Sequence, residues 1–182
     1  MLSFATETRK RQPIMIDLYV ELKALLQALD AAGIPYALCG GLALMVYQRP
    51  RATVDIDLIL PAEVTGKCIE AVAPLGFRAH PRPMHFGASG IEVHRLYKVE
   101  EGGPDVLMLD CLLTTHPIVA EAWRRRVRVP FGEGTACVVS IAGLIALKRL
   151  RGSPLDLLDI EALQALNDQH PDAFPGSDNA CP

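Results

Sequence analysis

Residues 53–60, TVDIDLIL, have the β-branched and aliphatic content of a strand inside a sheet, yet Asp55 and Asp57 stand in the middle of them. A buried carboxylate without a partner loses hydration that nothing replaces. Residues two apart in a strand project from the same face, about 6.6 Å apart along the chain. Asp55 and Asp57 are therefore expected together on one face, with Val54, Ile56 and Leu58 on the other. Two carboxylates so placed repel and tend to hold a proton unless a cation lies between them. A divalent metal supplies that cation, because hard ions such as Mg²⁺ take oxygen ligands and commonly combine a few carboxylates with phosphate oxygens. The competing reading is a solvent-exposed edge strand, against which the apolar flanks argue.

Two further features extend the pattern. Asp110, inside LMLDCLL, is a third acid in a strand-like run, and an adjacent antiparallel strand would bring it to the same metals. Gly40 and Gly41 fall between a short strand, IPYALC, and a helix, LALMVYQ. The absence of Cβ there lets a phosphate approach the backbone.

Around these residues the chain reads as alternating helices and strands. A helical leucine pattern opens at Pro13, runs through Leu18, Leu22, Leu25, Leu26 and Leu29, and is placed to end at Gly33. AEVTGKCIEAVAPLG reads as helix despite Gly66. IEVHRLYKV and DVLMLDCLL read as strands joined across EEGG, and Pro81 and Pro83 mark a loop before them. HPIVAEAW suggests a short helix, and RRVRVP and TACVVS a hairpin across FGEG. Two helices close the pattern, one capped by Ser140 and one by Ser153 with Pro154 in its first turn. Residues 1–12 are expected to be flexible, 13–169 to form one ordered domain with C-terminal helices from about 140, and 170–182 to be a disordered tail.

The 182 residues suffice for one hydrophobic core. A net charge of −3 gives no global pull toward nucleic acid or anionic membrane. Only the basic run at 124–128 is a local candidate. Five cysteines without a C-x-x-C pair suit reduced core thiols and a cytoplasmic protein better than disulfides or zinc. The first residues lack the apolar core of a secretory signal, and no apolar run reaches the roughly 18 residues of a membrane helix.

The order Cys39-Gly40-Gly41, thirteen residues, Asp55-Ile56-Asp57, then Asp110 resembles the nucleotidyltransferase superfamily related to DNA polymerase beta. Within it, RATVDIDLIL with SIAGLIALKRLRGSPLDLLDIEAL is similar to the AbiEii-type minimal nucleotidyltransferases. Those carry R-x-T-x-D-h-D (h apolar), a lysine on a late helix and a D-x-x-D-h segment, matched here by Asp156, Asp159 and Ile160. The resemblance spans about 34–166. It implies an α+β nucleotidyltransferase fold, a mixed sheet with flanking helices and a C-terminal helical pair.

It also implies a site in which Asp55, Asp57 and Asp110 are catalytic and hold Mg²⁺ or Mn²⁺, with a nucleoside triphosphate over Gly40 and Gly41. Lys148 is a candidate triphosphate contact or a lysine with no role beyond packing. Arg51 either pairs with an acid or helps hold the nucleotide. Asp156 and Asp159 read as structural. The type suggests a toxin with an antitoxin partner and tRNA as acceptor. A small-molecule enzyme of the antibiotic-modifying kind, or a nucleotide-binding module without turnover, are the alternatives. Gly41 stands where many members have serine, and Leu155 where relatives often have a basic residue.

Overall fold

The computed structural model describes residues 17–86, 89–100, 104–169 and 181. The expected flexible start, the opening of the first helix at Pro13 and most of the tail lie outside them. Asp17 caps α1 (Leu18–Ala31), its carboxylate accepting from the backbone N–H groups of Tyr19 and Val20. The four leucines from Leu22 to Leu29 form the buried stripe of that helix. β1 (Ala37–Cys39) runs directly into α2 (Gly40–Val46), so the paired glycines form the first turn of the helix rather than a separate bend. β2 (Asp55–Leu60) follows, then α3 (Thr65–Val72), which accommodates Gly66.

β3 (Arg78–Ala79) and β4 (Met84–Phe86) flank the proline loop, and β5 (Ile91–Val99) leads to β6 (Val106–Leu113). α4 (Pro117–Arg124) precedes the hairpin of β7 (Val127–Phe131) and β8 (Gly134–Val138). α5 (Ile141–Arg151) is capped by the Ser140 hydroxyl. At the start of α6 (Pro154–Gln169) the Ser153 hydroxyl accepts from the Asp156 N–H while the Asp156 carboxylate accepts from the Ser153 N–H, a reciprocal cap.

All eight strands join one mixed sheet in the order β3-β5-β6-β2-β1-β8-β7, with β4 also on β5. β2 is central, antiparallel to β1 and parallel to β6. The α+β architecture with a C-terminal helical pair is as expected. The direction of β6 is not: it pairs with β2 in parallel, because the crossover through α3 and the outer strands returns the chain in the same sense. The register still sets Asp110 directly opposite Asp57. Val54 also departs from expectation, since it precedes the strand and is 80% exposed. Ile56, Leu58 and Leu60 are fully buried.

The cysteines need a second correction. Cys39, Cys68 and Cys111 are free and buried, but Cys137 and Cys181 form a disulfide across 44 residues of chain. Spacing rules detect local pairs and are blind to one closed by the fold. Among the described residues, no helix is long and apolar enough to cross a membrane.

Candidate active site

Three carboxylates meet on one face of the central strands. Asp55 opens β2 and accepts a hydrogen bond from the Thr53 hydroxyl at 2.6 Å. Asp57, one pleat further on, packs against Gly40, and a Cβ at that glycine would lie inside the Asp57 carboxylate. Gly40 also holds φ of 63°, in the left-handed region, so both backbone and contact require glycine. Gly41 is closed in the same way, by the Thr53 side chain and the Arg51 guanidinium. Asp110, only 2% exposed, is gripped by Arg95 through two bonds of 2.7 Å. Arg95 stands opposite it in the antiparallel β5–β6 pair.

Electrostatically these acids differ. Asp110 has a dedicated guanidinium. Asp57 has none, and no hydrogen-bond donor reaches it among the described residues. Burial first, then the like charges of Asp55 and Asp110, push its carboxyl up to about 7. A carboxylate this unsettled suits a cation, and Asp55 with Asp57 offers the hard oxygen donors that a divalent metal takes. No group of three His, Cys, Asp or Glu side chains among the described residues is arranged to hold a metal by itself. Two carboxylates are a donor set that fits an ion completing its shell with phosphate oxygens and water, as Mg²⁺ commonly does.

No family model matches the chain, and no curated protein is similar enough to match. Solved structures do resemble it. ANT(2")-Ia in complex with adenylyl-2"-tobramycin is 19% identical, covering 84% of this chain and 98% of its own, with a TM-score of 0.50. The lincosamide antibiotic adenylyltransferase LnuA, lincomycin-bound, is 17% identical, covering 81% and 96%, with a TM-score of 0.53. JHP933 from Helicobacter pylori is 20% identical, covering 83% and 66%, at 0.51. The chain has a nucleotidyltransferase fold.

Within this nucleotidyltransferase fold, α5 and α6 place a second set of charges beside the acids. Lys148, 5% exposed, donates to Asp159 at 2.6 Å and to Asp156 at 3.5 Å. Arg51 donates to the same Asp159 oxygen at 3.1 Å. Arg151 grips both oxygens of Asp156, at 2.6 and 2.7 Å. Burial alone would raise the Asp156 carboxyl, but Arg151 and Ser153 overcome it and hold the group well below the usual carboxylate range. Lys148 is thus a buried member of an ion network, and Arg51 is paired with an acid.

A cleft of about 270 Å³ lies between this network and the sheet, and Gly40, Asp57, Lys148 and Arg151 all face it. The structure brings Gly40, Gly41, Arg51, Asp55, Asp57, Asp110 and Lys148 to one end of the fold. The basic run is largely absorbed: Arg124 and Arg125 pair with Glu121, and Arg126 lies 3.8 Å from the Trp123 ring centre. Sequence reasoning missed Arg95 and Arg151. Arg95 carried a faint signal, a cation on the same face as the apolar Ile91 and Val93 of IEVHRLYKV, and Arg151 another, a base five residues before Asp156.

Proposed function

We propose that this chain is a metal-dependent nucleotidyltransferase, moving a nucleoside monophosphate from a nucleoside triphosphate to an acceptor hydroxyl with release of pyrophosphate. The observation that carries the reading is Asp57, held over Gly40 beside two other acids and lacking a cation of its own. Asp55 and Asp57 would hold Mg²⁺ or Mn²⁺ together with the triphosphate. The bound ion would neutralise charge on the reacting phosphate and lower the pKa of the acceptor hydroxyl.

The chain's own residues supply the rest. Gly40 and Gly41 let Asp57, Thr53 and Arg51 close against the first turn of α2. Thr53 fixes the Asp55 carboxylate, and Asp159 fixes Arg51 at the edge of Gly41. Asp110, aimed by Arg95, takes up the proton of the acceptor hydroxyl as its oxygen bonds to the α-phosphorus and the bond to the leaving pyrophosphate breaks. Lys148 and Arg151 place positive charge on the cleft wall, where the phosphates need it.

Two acceptor classes have support. The small, largely apolar cleft favours a small molecule, in line with the antibiotic adenylyltransferases of the same fold. The R-x-T-x-D-h-D segment with the Lys148, Asp156 and Asp159 cluster favours the AbiEii-like reading, a toxin acting on tRNA and held by an antitoxin. Incubation with α-labelled triphosphates, Mg²⁺ or Mn²⁺, and separate pools of RNA, protein and metabolites tests both. Wild type is expected to label one pool, and Asp57→Ala to lower transfer by about a hundred- to a thousandfold, in the range seen when a transition-state charge stabiliser is lost. Full activity in that variant would end the assignment. Triphosphate binding without pyrophosphate release in any pool would instead identify a non-catalytic module.

A further inference from the structure

We infer that Arg151 is the cation of the cleft that bonds the triphosphate directly, and that Asp156, besides fastening α6 to α5, is the positioning residue that holds it. This rests on the nucleotidyl-transfer reading above.

Two cations line the cleft, Lys148 and Arg151, and they are not equally available. The Lys148 side chain is 5% exposed, and its ammonium lies between two carboxylates, 2.6 Å from Asp159 and 3.5 Å from Asp156. The Arg151 side chain is 44% exposed and uses one edge of its guanidinium, Nε and Nη2, on Asp156. Its remaining nitrogen, Nη1, bonds nothing among the described residues. A planar guanidinium can grip a carboxylate along one edge and a phosphate along the other, which an ammonium enclosed by two acids cannot do. Arg151 also acts on the right acids. Burial and the charges of Asp55 and Asp110 raise the Asp57 carboxyl, and against them Arg151 pulls it down ahead of Lys148.

The local sequence explains why this side chain stays in place. Arg151 ends α5, and Gly152 turns the chain with φ of 66° while its N–H bonds the Lys148 carbonyl oxygen. Ser153 and Pro154 then open α6, so that Asp156 comes back to face Arg151. Asp156 is fully buried and is itself fixed, its carboxylate accepting from the Ser153 N–H at 3.0 Å and the Ser153 hydroxyl at 2.7 Å. A long, half-exposed arginine would otherwise sample many rotamers. Held in one, it meets a phosphate without the ordering cost that binding would carry. The competing reading is a pair that does no more than staple the two helices together.

The test measures binding of inorganic tripolyphosphate with Mg²⁺ by isothermal titration, a probe with no base or sugar. Arg151→Gln is expected to weaken it about tenfold or more, as when a charge-assisted bond is lost. Asp156→Asn, which keeps the shape and leaves Arg151 to water, is expected to weaken it about threefold or more. In the Arg151→Gln background the same change is expected to add nothing, because Asp156 acts through Arg151. The double variant leaves neither charge unmatched and carries the test if Arg151→Gln alone fails to fold. Affinity within about twofold of wild type in either Arg151 variant overturns the inference. So does an Asp156→Asn effect of equal size with and without Arg151, the mark of a merely structural acid. Kinetics separate this claim from the reading it rests on. With a triphosphate that supports transfer, Arg151→Gln is expected to raise the KM for that triphosphate in the same proportion. Tripolyphosphate bound through Arg151 with no pyrophosphate released from any triphosphate sinks the transfer reading alone. Transfer whose KM is untouched by Arg151→Gln sinks the Arg151 assignment alone.

Discussion

Asp57, half-buried, and Asp156, fully buried, face the same end of the molecule, and they are treated in opposite ways. Asp156 receives two guanidinium bonds, a hydroxyl and a backbone N–H, and shares Lys148 with Asp159, which also takes Arg51. Three cations serve two acids there, and the network fastens α6 to α5 and to the segment ahead of β2. On the sheet, three acids have one cation between them, and Arg95 gives itself wholly to Asp110. Balanced charge holds the helices in place, whereas Asp57 is left without a cation of its own. The difference separates a structural use of buried charge from the chemical one proposed for Asp57.

The strongest way to break this comparison is to strip the balanced side of its shared cation. Lys148→Met leaves two buried acids under-compensated and is expected to lower unfolding stability by about 3–5 kcal/mol. Urea denaturation measures it, and a loss below about 1 kcal/mol, the scale of a surface pair, would show that the network is not holding the helices. Loss of nucleotide binding without loss of stability would move Lys148 to the chemical side.

Next in size is the pH response of the metal-free chain, where the two sides have opposite signs. In the unfolded chain Asp57 loses its proton near pH 4, but in the native chain it keeps it to about 7. The native state therefore binds more protons across that window, and stability falls as pH rises through it, by about 2–3 kcal/mol between pH 5 and pH 8. Asp156, held low, contributes stability that is lost as pH drops below the ordinary carboxylate range. Denaturation in EDTA at several pH values checks both limbs. Asp57→Asn is expected to flatten the upper one, and millimolar Mg²⁺ at pH 8 to restore stability in wild type but not in that variant.

The smallest expected effect sharpens the comparison within the balanced side. Ser153→Ala removes the hydroxyl that both caps α6 and bonds Asp156, and is expected to cost about 1 kcal/mol. For a chain of this size that lowers Tm by about 2–4 °C. A larger drop would mean that the cap also positions Asp156 for Arg151.

Much of this arrangement is local and was legible in the sequence. The acidic strand, the glycine pair, the β7–β8 hairpin and both late helix caps each depend on residues within one turn or one pleat of each other. What escaped is carried by pairing between distant strands. Nothing in LMLDCLL says that β6 runs parallel to β2, and nothing in IEVHRLYKV says that Arg95 will face Asp110, because strand direction and register are decided by the crossover. The Cys137–Cys181 pairing was hidden for the same reason, its two halves meeting only through the C-terminal helices between them. Lys148 and Arg51 were each left between two roles, and the acids that pair with them were in view as Asp156 and Asp159 without being assigned to them.

The seat of Asp57 over Gly40 has a consequence for kindred sequences. A methyl group at position 40 could enter only by turning the Asp57 carboxylate out of its place. Glycine at that position thus serves as a marker that can be read without coordinates. A relative that keeps it together with both aspartates retains the steric conditions for the acid pair, and one that has exchanged it has given up that geometry while remaining free to keep the sheet.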